Sequence, residues 1–432
     1  MAEPTSLRIA FIVGHFPRLS ETFILNQVTG LRDRGHQVDI YSEYAGHWEQ
    51  VHPDVETYGL RQHTYPLYPV PAAYGVRSLV GLWLLLTRLP KAPRVLLGAL
   101  NPWRHGRYAL GWWLLYGAAA WVDRGCPRYD VIHSQFGTQG HRGWWLQRLM
   151  PDARLVVMFR GHDISSFVRE KGPAIYADLF EAAHACLTNC DFFRQRLIEL
   201  GCAPQKVAVH YSGLDVAKFT YRPRQLGADG AIRLVTTGRL VEKKGIEYAI
   251  RAIAPLAPRY PGLRYTIIGD GPLRADLEAL AQSLNLGSVV QWVGWQSEQE
   301  LIASLDRAHI FIAPSVTAAD GNQDAPVNVL KEAMALGLPV VSTRHGGIPE
   351  LVEDGVSGYL VPERDAAALS ACLERLLGQP DQWAAMGRAG RACVEARFNL
   401  ETLNDRLVGR YRDLLPTADP PRPRQPALAT PA

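Results

Sequence analysis

Cysteine is scarce in this chain: six in 432 residues (Cys126, Cys186, Cys190, Cys202, Cys372 and Cys393). They show no paired two-residue spacing of a zinc site. That excludes a disulfide framework or a cysteine-built metal centre, and they read as reduced thiols. A surplus of one charge is also missing. Forty-six Lys and Arg stand against 42 Asp and Glu, leaving +4, which is far from a nucleic-acid-binding signature. The small basic excess suits phosphates or an anionic membrane face. No apolar run reaches the ~20 residues that would span a bilayer. The N-terminal MAEPTSLRIAFIV lacks the parts of a signal peptide, so a cytoplasmic protein is expected.

What is present is ample apolar material, 47% of residues, in a chain long enough for two domains. Leu7 to Val13 is a continuous apolar run, expected of a strand buried on both faces of a parallel sheet. A loop through Gly14, His15, Phe16 and Pro17 follows. Ser20 then opens a helix whose positive end Glu21 supports, with Ile24, Val28 and Leu31 at helical spacing. Further strands are expected at Val38 to Tyr41, Asp130 to His133, Leu155 to Phe159, Ala185 to Asn189 and Val207 to Tyr211. A second series reads Ile232 to Thr236, Tyr265 to Ile268, Val289 to Val293, Ile310 to Ala313, Pro339 to Ser342 and Tyr359 to Val361. Helix-length segments separate most of them, which predicts an α/β protein with two open parallel sheets.

The expected organisation is a first domain over 1–213, a Gly- and Pro-rich linker over 214–231, a second domain over 232–415 and a disordered Pro- and Ala-rich tail over 416–432. Within the first domain, residues 72–123 are rich in Trp, Leu and Arg. They suit helices packed on the sheet, or helices lying at a membrane surface or lining an acceptor groove.

The chemistry concentrates after the strands of the second half. GRLVEKKG follows Ile232 to Thr236, with Gly238 permitting a tight turn and Arg239 and Lys244 bracketing a helix start. Backbone donors, helix dipole and two cations there favour a diphosphate; otherwise these are merely solvated charges. Gly269 and Gly271 follow the next strand, and Gly346, Gly347 and Glu350 a later one, where backbone can approach a ligand. DAPVNVLKEAMALG puts Asp324 in a loop, Pro326 near the first helical position and Glu332 about two turns in, beside a buried stripe of Val329, Ala333 and Leu336. At full helical spacing the two carboxylates stand about 12 Å apart, suited to gripping two separated hydroxyl-bearing parts of one ligand.

Taken in order, GRLVEKKG, IIGDGP, the Asp324 to Glu332 segment and STRHGGIPELVEDGVSG resemble the donor domain of the large retaining glycosyltransferase family 4. FPRLSETFI, IHSQFG and FRGHDIS resemble its exopolysaccharide and colanic acid branch. The resemblance runs from about Leu7 to Asp365. It implies a GT-B fold, two Rossmann-like domains facing across a cleft, with the last helix packing back on the first domain.

By that resemblance Arg239 and Lys244 bind the donor diphosphate, Glu332 the ribose, and Gly346, Gly347 and Glu350 lie near the phosphates and sugar. Asp324 stands where the family has glutamate against the transferred sugar, and Ala325 where it has glycine. Arg160 takes the place of the family's catalytic-site histidine. Either His162 supplies the imidazole or Arg160 itself contacts the reacting sugar or phosphate, and His133 is a third candidate. Gly14, Ser20, Glu21 and His133 fall on the acceptor side.

The expected reaction is transfer of a hexose with retention from a UDP- or GDP-sugar to a saccharide or lipid-linked saccharide, with no other cofactor and no metal. Peripheral contact with the inner face of the cell membrane accompanies it. A nucleotide-sugar epimerase and a non-catalytic nucleotide or polysaccharide binder are the competing readings. A NAD-dependent oxidoreductase is disfavoured because VGHFPRLSE lacks the three-glycine fingerprint.

Overall fold

The structure, a computed structural model, describes residues 6–416 except 19, 20, 47, 50, 325 and 326. Ser20, Ala325, Pro326 and nearly all of the expected tail therefore lie outside the described residues.

Thirteen strands form two parallel sheets among the described residues. The first contains β1 (Arg8–Phe16), β2 (Gln37–Ala45), β3 (Thr64–Pro66), β4 (Val131–Ser134), β5 (Arg154–Phe159), β6 (Ala185–Thr188) and β7 (Val207–Val209), in the order β3-β2-β1-β4-β5-β6-β7. The second contains β8 (Ile232–Thr237), β9 (Leu263–Ile268), β10 (Val290–Gly294), β11 (Ile310–Ala313), β12 (Val340–Thr343) and β13 (Gly358–Val361), in the order β10-β9-β8-β11-β12-β13. The chain is thus α/β with two Rossmann-like sheets. Alternate residues of β1 feed opposite faces. Ala10 and Ile12 join one apolar core, and Ile9, Phe11 and Val13 the other. Two more cores cover the faces of the second sheet.

Each sheet reverses its strand order once, between β1 and β4 and between β8 and β11. The crevice outside the carboxyl ends of the strands at such a point is where open α/β sheets bind ligands.

Several expectations need correction. Gly14 to Phe16 belong to β1 rather than to a loop, because β2 runs on to Ala45 and pairs His15 with Tyr44 and Phe16 with Ala45. Edge strand β3 has only three residues and ends in proline, too short for a periodic pattern. The helix carrying Glu332 begins at Asn328, so Glu332 stands about one turn in, not two. Its buried face is Leu330, Lys331, Ala333 and Met334; Val329 is only partly covered.

The Trp- and Leu-rich stretch forms five helices. The last, Trp113–Asp123, is buried from Leu114 to Val122. The first, Tyr74–Arg88, buries only Arg77, Gly81 and Leu84, and leaves Leu79 71% and Leu86 62% exposed. No helix of the described residues is long and apolar enough to cross a membrane.

Two chain segments connect the sheets, one leaving β7 and one preceding the last helix, Leu400–Leu414. They meet where Leu214 N–H donates to the Phe398 carbonyl at 2.8 Å and Leu400 N–H to the Leu214 carbonyl at 3.0 Å. The last helix packs against Thr22–Asp33 of the first half. Arg34 reaches Asp405 at 2.7 Å and Glu401 at 2.9 Å, and a Cβ on Gly30 would collide with Asn404.

Candidate functional site

The carboxyl ends of both sheets open onto one cleft of about 1280 Å³. On the second-sheet side, Gly238 and Arg239 follow β8, the turn Glu242–Lys244 comes next, and Gly245 at φ 60° starts the helix Ile246–Ile253. Glycine is required at 245 because a Cβ there would run into the Pro314 carbonyl. Both lysines just before it reach the loop after β11. There Lys244 Nζ lies 2.6 Å and Lys243 Nζ 2.8 Å from the two carboxylate oxygens of Asp324. Lys243 also donates to Asn322 Oδ1 at 3.2 Å.

Burial works to raise the Asp324 carboxyl, but Lys244 and Lys243 outweigh it and hold the group well below the usual carboxylate range. Lys244 and Asp324, expected to grip different parts of a ligand, are therefore each other's partners. Asp324 is anchored again through its backbone N–H, which donates to His345 Nε2 at 2.9 Å, and His345 Nδ1 lies 2.6 Å from Glu363. Arg239 stands exposed at the same wall of the cleft. Two lysines and one aspartate leave a net positive charge here, and Arg239 adds to it.

Glu332 lies farther along that wall. Its Oε2 is buried with no hydrogen-bond partner, and burial pushes the carboxyl up to about 7, with Lys331 opposing. A buried acceptor left without a donor is costly.

On the facing side, Arg160 leaves the end of β5 at 6% exposure. Its Nη1 donates to Ser212 Oγ at 2.8 Å and its Nη2 to Gln135 Oε1 at 3.0 Å, while the guanidinium sits 4.2 Å from the centre of the Phe23 ring. Burial pulls it down to about 9, against the pull of Asp163 and Glu21. His162 is exposed in the cleft, and Gly14 and Glu21 line it too. Burial raises the Glu21 carboxyl even though Arg18 stands 3.1 Å away.

The remaining candidates sit elsewhere. His133 is fully buried on β4 with Nδ1 2.5 Å from the Tyr411 hydroxyl; it packs the last helix onto the sheet and does not line the cleft. Gly238 and Gly269 line the cleft and Gly271 does not. A Cβ on Gly269 would collide with the Gly238 carbonyl, and one on Gly271 would lie 2.6 Å from the Leu240 carbonyl. These glycines are demanded by the packing of one loop on the next. Gly346, at φ 49°, backs the Asp324 carbonyl. Gly346, Gly347 and Glu350 do not line the cleft. The Glu350 carboxylate accepts from the backbone N–H groups of Asp191 and Phe192 at 2.8 and 2.9 Å, so it caps a helix of the opposite half.

Sequence reasoning missed three contributors. Lys243 was overlooked beside its neighbour in the KK doublet. Asp163 accepts from the N–H groups of Gly137, Arg160 and Gly161 and clamps the loops after β4 and β5. Ser212 has no local motif at all. Among the described residues no group of three or more His, Cys, Asp or Glu could hold a metal ion.

Residues 20–218 match Glycosyltransferase Family 4 and residues 218–392 match Glycosyl transferases group 1. The chain is 35% identical to WcaL of Salmonella typhimurium, whose name places it among colanic acid biosynthesis glycosyltransferases; the match covers 93% of this chain and 98% of WcaL. It is also 35% identical to the amylovoran biosynthesis glycosyltransferase AmsK of Erwinia amylovora, over 91% of this chain and 96% of AmsK. Among solved structures, Anabaena Alr3699/HepE in complex with UDP superposes with a TM-score of 0.69 at 18% identity, covering 94% of this chain and 100% of that one.

Proposed function

The chain belongs to glycosyltransferase family 4, and from that membership we propose that it is a retaining enzyme moving a hexose from a UDP- or GDP-sugar to a lipid-linked saccharide in exopolysaccharide biosynthesis. In this reading residues 232–415 hold the donor and residues 1–213 the acceptor. The observation that carries it is the wall of the cleft on which Arg239, Lys243 and Lys244 gather positive charge and which Glu332 also lines. That is the pattern a nucleoside diphosphate calls for: cations for the diphosphate, a carboxylate to accept hydrogen bonds from ribose hydroxyls. HepE, which shares the fold, has been solved with UDP and with UDP-glucose.

The acceptor hydroxyl attacks the anomeric carbon from the face that the diphosphate leaves, and the carbon–oxygen bond to the diphosphate breaks as the new one forms. The departing diphosphate takes the hydroxyl proton. Arg239 and Lys244 stabilise the charge that grows on it, an effect worth several kcal/mol per well-placed donor. Lys244 is free to do so if it exchanges Asp324 for phosphate, which leaves Asp324 with Lys243 and directed at the sugar. Arg160 faces the reacting centre from the other side as a buried cation.

A lipid-linked acceptor is supported by the helices of residues 72–123. Trp83, Leu79, Leu86 and Trp103 are exposed there, Arg94 and Arg104 stand among them, and residues 72–122 contain no Asp or Glu, while Lys91 lies 3.4 Å from Asp123 and Arg107 is paired with Asp178. An apolar surface edged by arginines unpaired among the described residues suits an anionic bilayer.

The test is a thermal-shift and mass-spectrometric screen against UDP-, GDP-, ADP- and TDP-sugars, repeated with Lys244→Ala. Stabilisation by UDP- or GDP-sugars that is lost in the variant supports the reading. No response to any class, or the same response in the variant, overturns it.

A further inference from the structure

Lys331 is the one lysine among the described residues that is fully buried, at 1% exposure, and it lies next to Glu332 on the helix Asn328–Ala335. No carboxylate accepts from its ammonium. Its hydrogen bond goes to the backbone carbonyl of Ser212, 2.6 Å away, with the Phe398 ring centre at 5.4 Å. Burying an ammonium on a single neutral acceptor is unfavourable, and a methionine would fill the same space without that cost. Burial lowers this ammonium to about 7 with Glu332 opposing, and an amine placed at that cost needs a reason beyond packing.

Ser212 supplies one. It lies in the chain crossing between the sheets, 8% exposed, and is held from two directions. Its hydroxyl accepts from Arg160 of the first half at 2.8 Å, and its carbonyl from Lys331 of the second. The crossing cannot slip past these ties, because a Cβ on Gly213 would already lie 2.8 Å from Leu400 Cα and Leu214 is paired with the second crossing on both sides.

We infer that Ser212 and Lys331 are positioning residues that strap the two walls of the cleft together and so set where Arg160 stands relative to Glu332 during sugar transfer. This rests on the roles given to Arg160 and Glu332 above. Neither residue needs to touch the substrate. The strap acts on the geometry between the halves, so it affects turnover more than it affects nucleotide binding, which one half performs alone.

The experiment uses the full chain, with UDP-glucose, UDP-galactose, GDP-mannose and GDP-fucose as donor probes. Initial rates are measured for the native sequence, Ser212→Ala, Ser212→Thr and Lys331→Met. With the donor that the native chain turns over, Ser212→Ala should lower kcat about tenfold while KM for the donor stays within twofold, and Ser212→Thr, which keeps the hydroxyl, should restore kcat. Lys331→Met should act in the same direction, and the double variant should lose less than the product of the two single losses, because both cut one strap. If Lys331→Met does not fold, the serine pair decides. Ser212→Ala with native kcat, or with kcat and KM worsening together as Tm falls, overturns the inference. A native chain inert toward all four donors strikes the proposed function instead.

Discussion

Replacing Asp324 with asparagine should move two observables in opposite directions. The carboxylate is 8% exposed and answers two ammonium groups at 2.6 and 2.8 Å, whose side chains are only 18% and 14% exposed. Removing one member of a buried ion pair costs about 3–5 kcal/mol when the remaining charge is left stranded. Here the lysines can turn partly into the open cleft, and the asparagine oxygen still accepts one hydrogen bond, so about 2–3 kcal/mol is expected. At about 2–4 °C per kcal/mol for a domain of this size, Tm should fall by about 4–12 °C.

The same change frees both lysines. A unit charge about 6 Å from a bound diphosphate, at an effective dielectric near 20, is worth roughly 3 kcal/mol before solvent screening. Even a third of that tightens UDP binding about fivefold. Thermal unfolding and calorimetric titration with UDP on the same preparation read the two effects. Unchanged stability would refute the ion-pair reasoning, and weaker UDP binding would refute the placement of the lysines in the diphosphate site. The loop itself should hold in the variant, since the Asp324 backbone N–H keeps its bond to His345.

Glu332→Gln should have a pH-dependent effect. A carboxyl raised to about 7 in the fold favours the folded state fully below its unfolded value near 4.5, and that contribution is lost as pH rises through about 7. Glutamine does not carry this loss, so urea unfolding should find the variant more stable than the native chain by about 1–2 kcal/mol at pH 8, with the gap closing at pH 5; a gap that widens toward pH 5 would overturn the assignment. Leu79→Asp with Leu86→Asp, both at exposed positions of Tyr74–Arg88, should leave Tm within about 2 °C, since surface changes stay within about 0.5 kcal/mol. The pair should abolish sedimentation with phosphatidylglycerol vesicles. Sedimentation equal to that of the native chain would remove the membrane reading.

Most strands were legible because they are short apolar runs buried on both faces, a local requirement; β7 and β10, at the sheet edges, are only partly covered. The expected core strands all appear, within a few residues at their ends. β3 was not legible because three residues carry no periodicity, and the loop at Gly14 was misread because strand length depends on how far the partner strand extends. The turns after β8 and β9 were legible for a similar reason. Turns at the ends of parallel strands need glycine, and cations near a helix start need an anion.

Residues that act across the fold were not legible. Lys243, Asp163, Ser212 and Lys331 acquire their roles from partners 26 to 119 positions away, or from the loop after another strand. His133 and Glu350 show the converse. Both sit in motifs that suggested chemistry, yet one packs a helix that comes 278 positions later and the other caps a helix of the opposite half.

By itself, the sequence determined that the chain builds two parallel α/β sheets, because burial periodicity and turn chemistry are properties of neighbouring residues, and its motifs in order resembled the glycosyltransferase family to which it belongs. The tertiary structure alone decided that Lys244 pairs with Asp324, that Arg160 rather than His133 faces the cleft, and that a serine between the sheets joins its two walls. Those facts are set by which loops the strand order brings together, and distance in space is not written in distance along the chain.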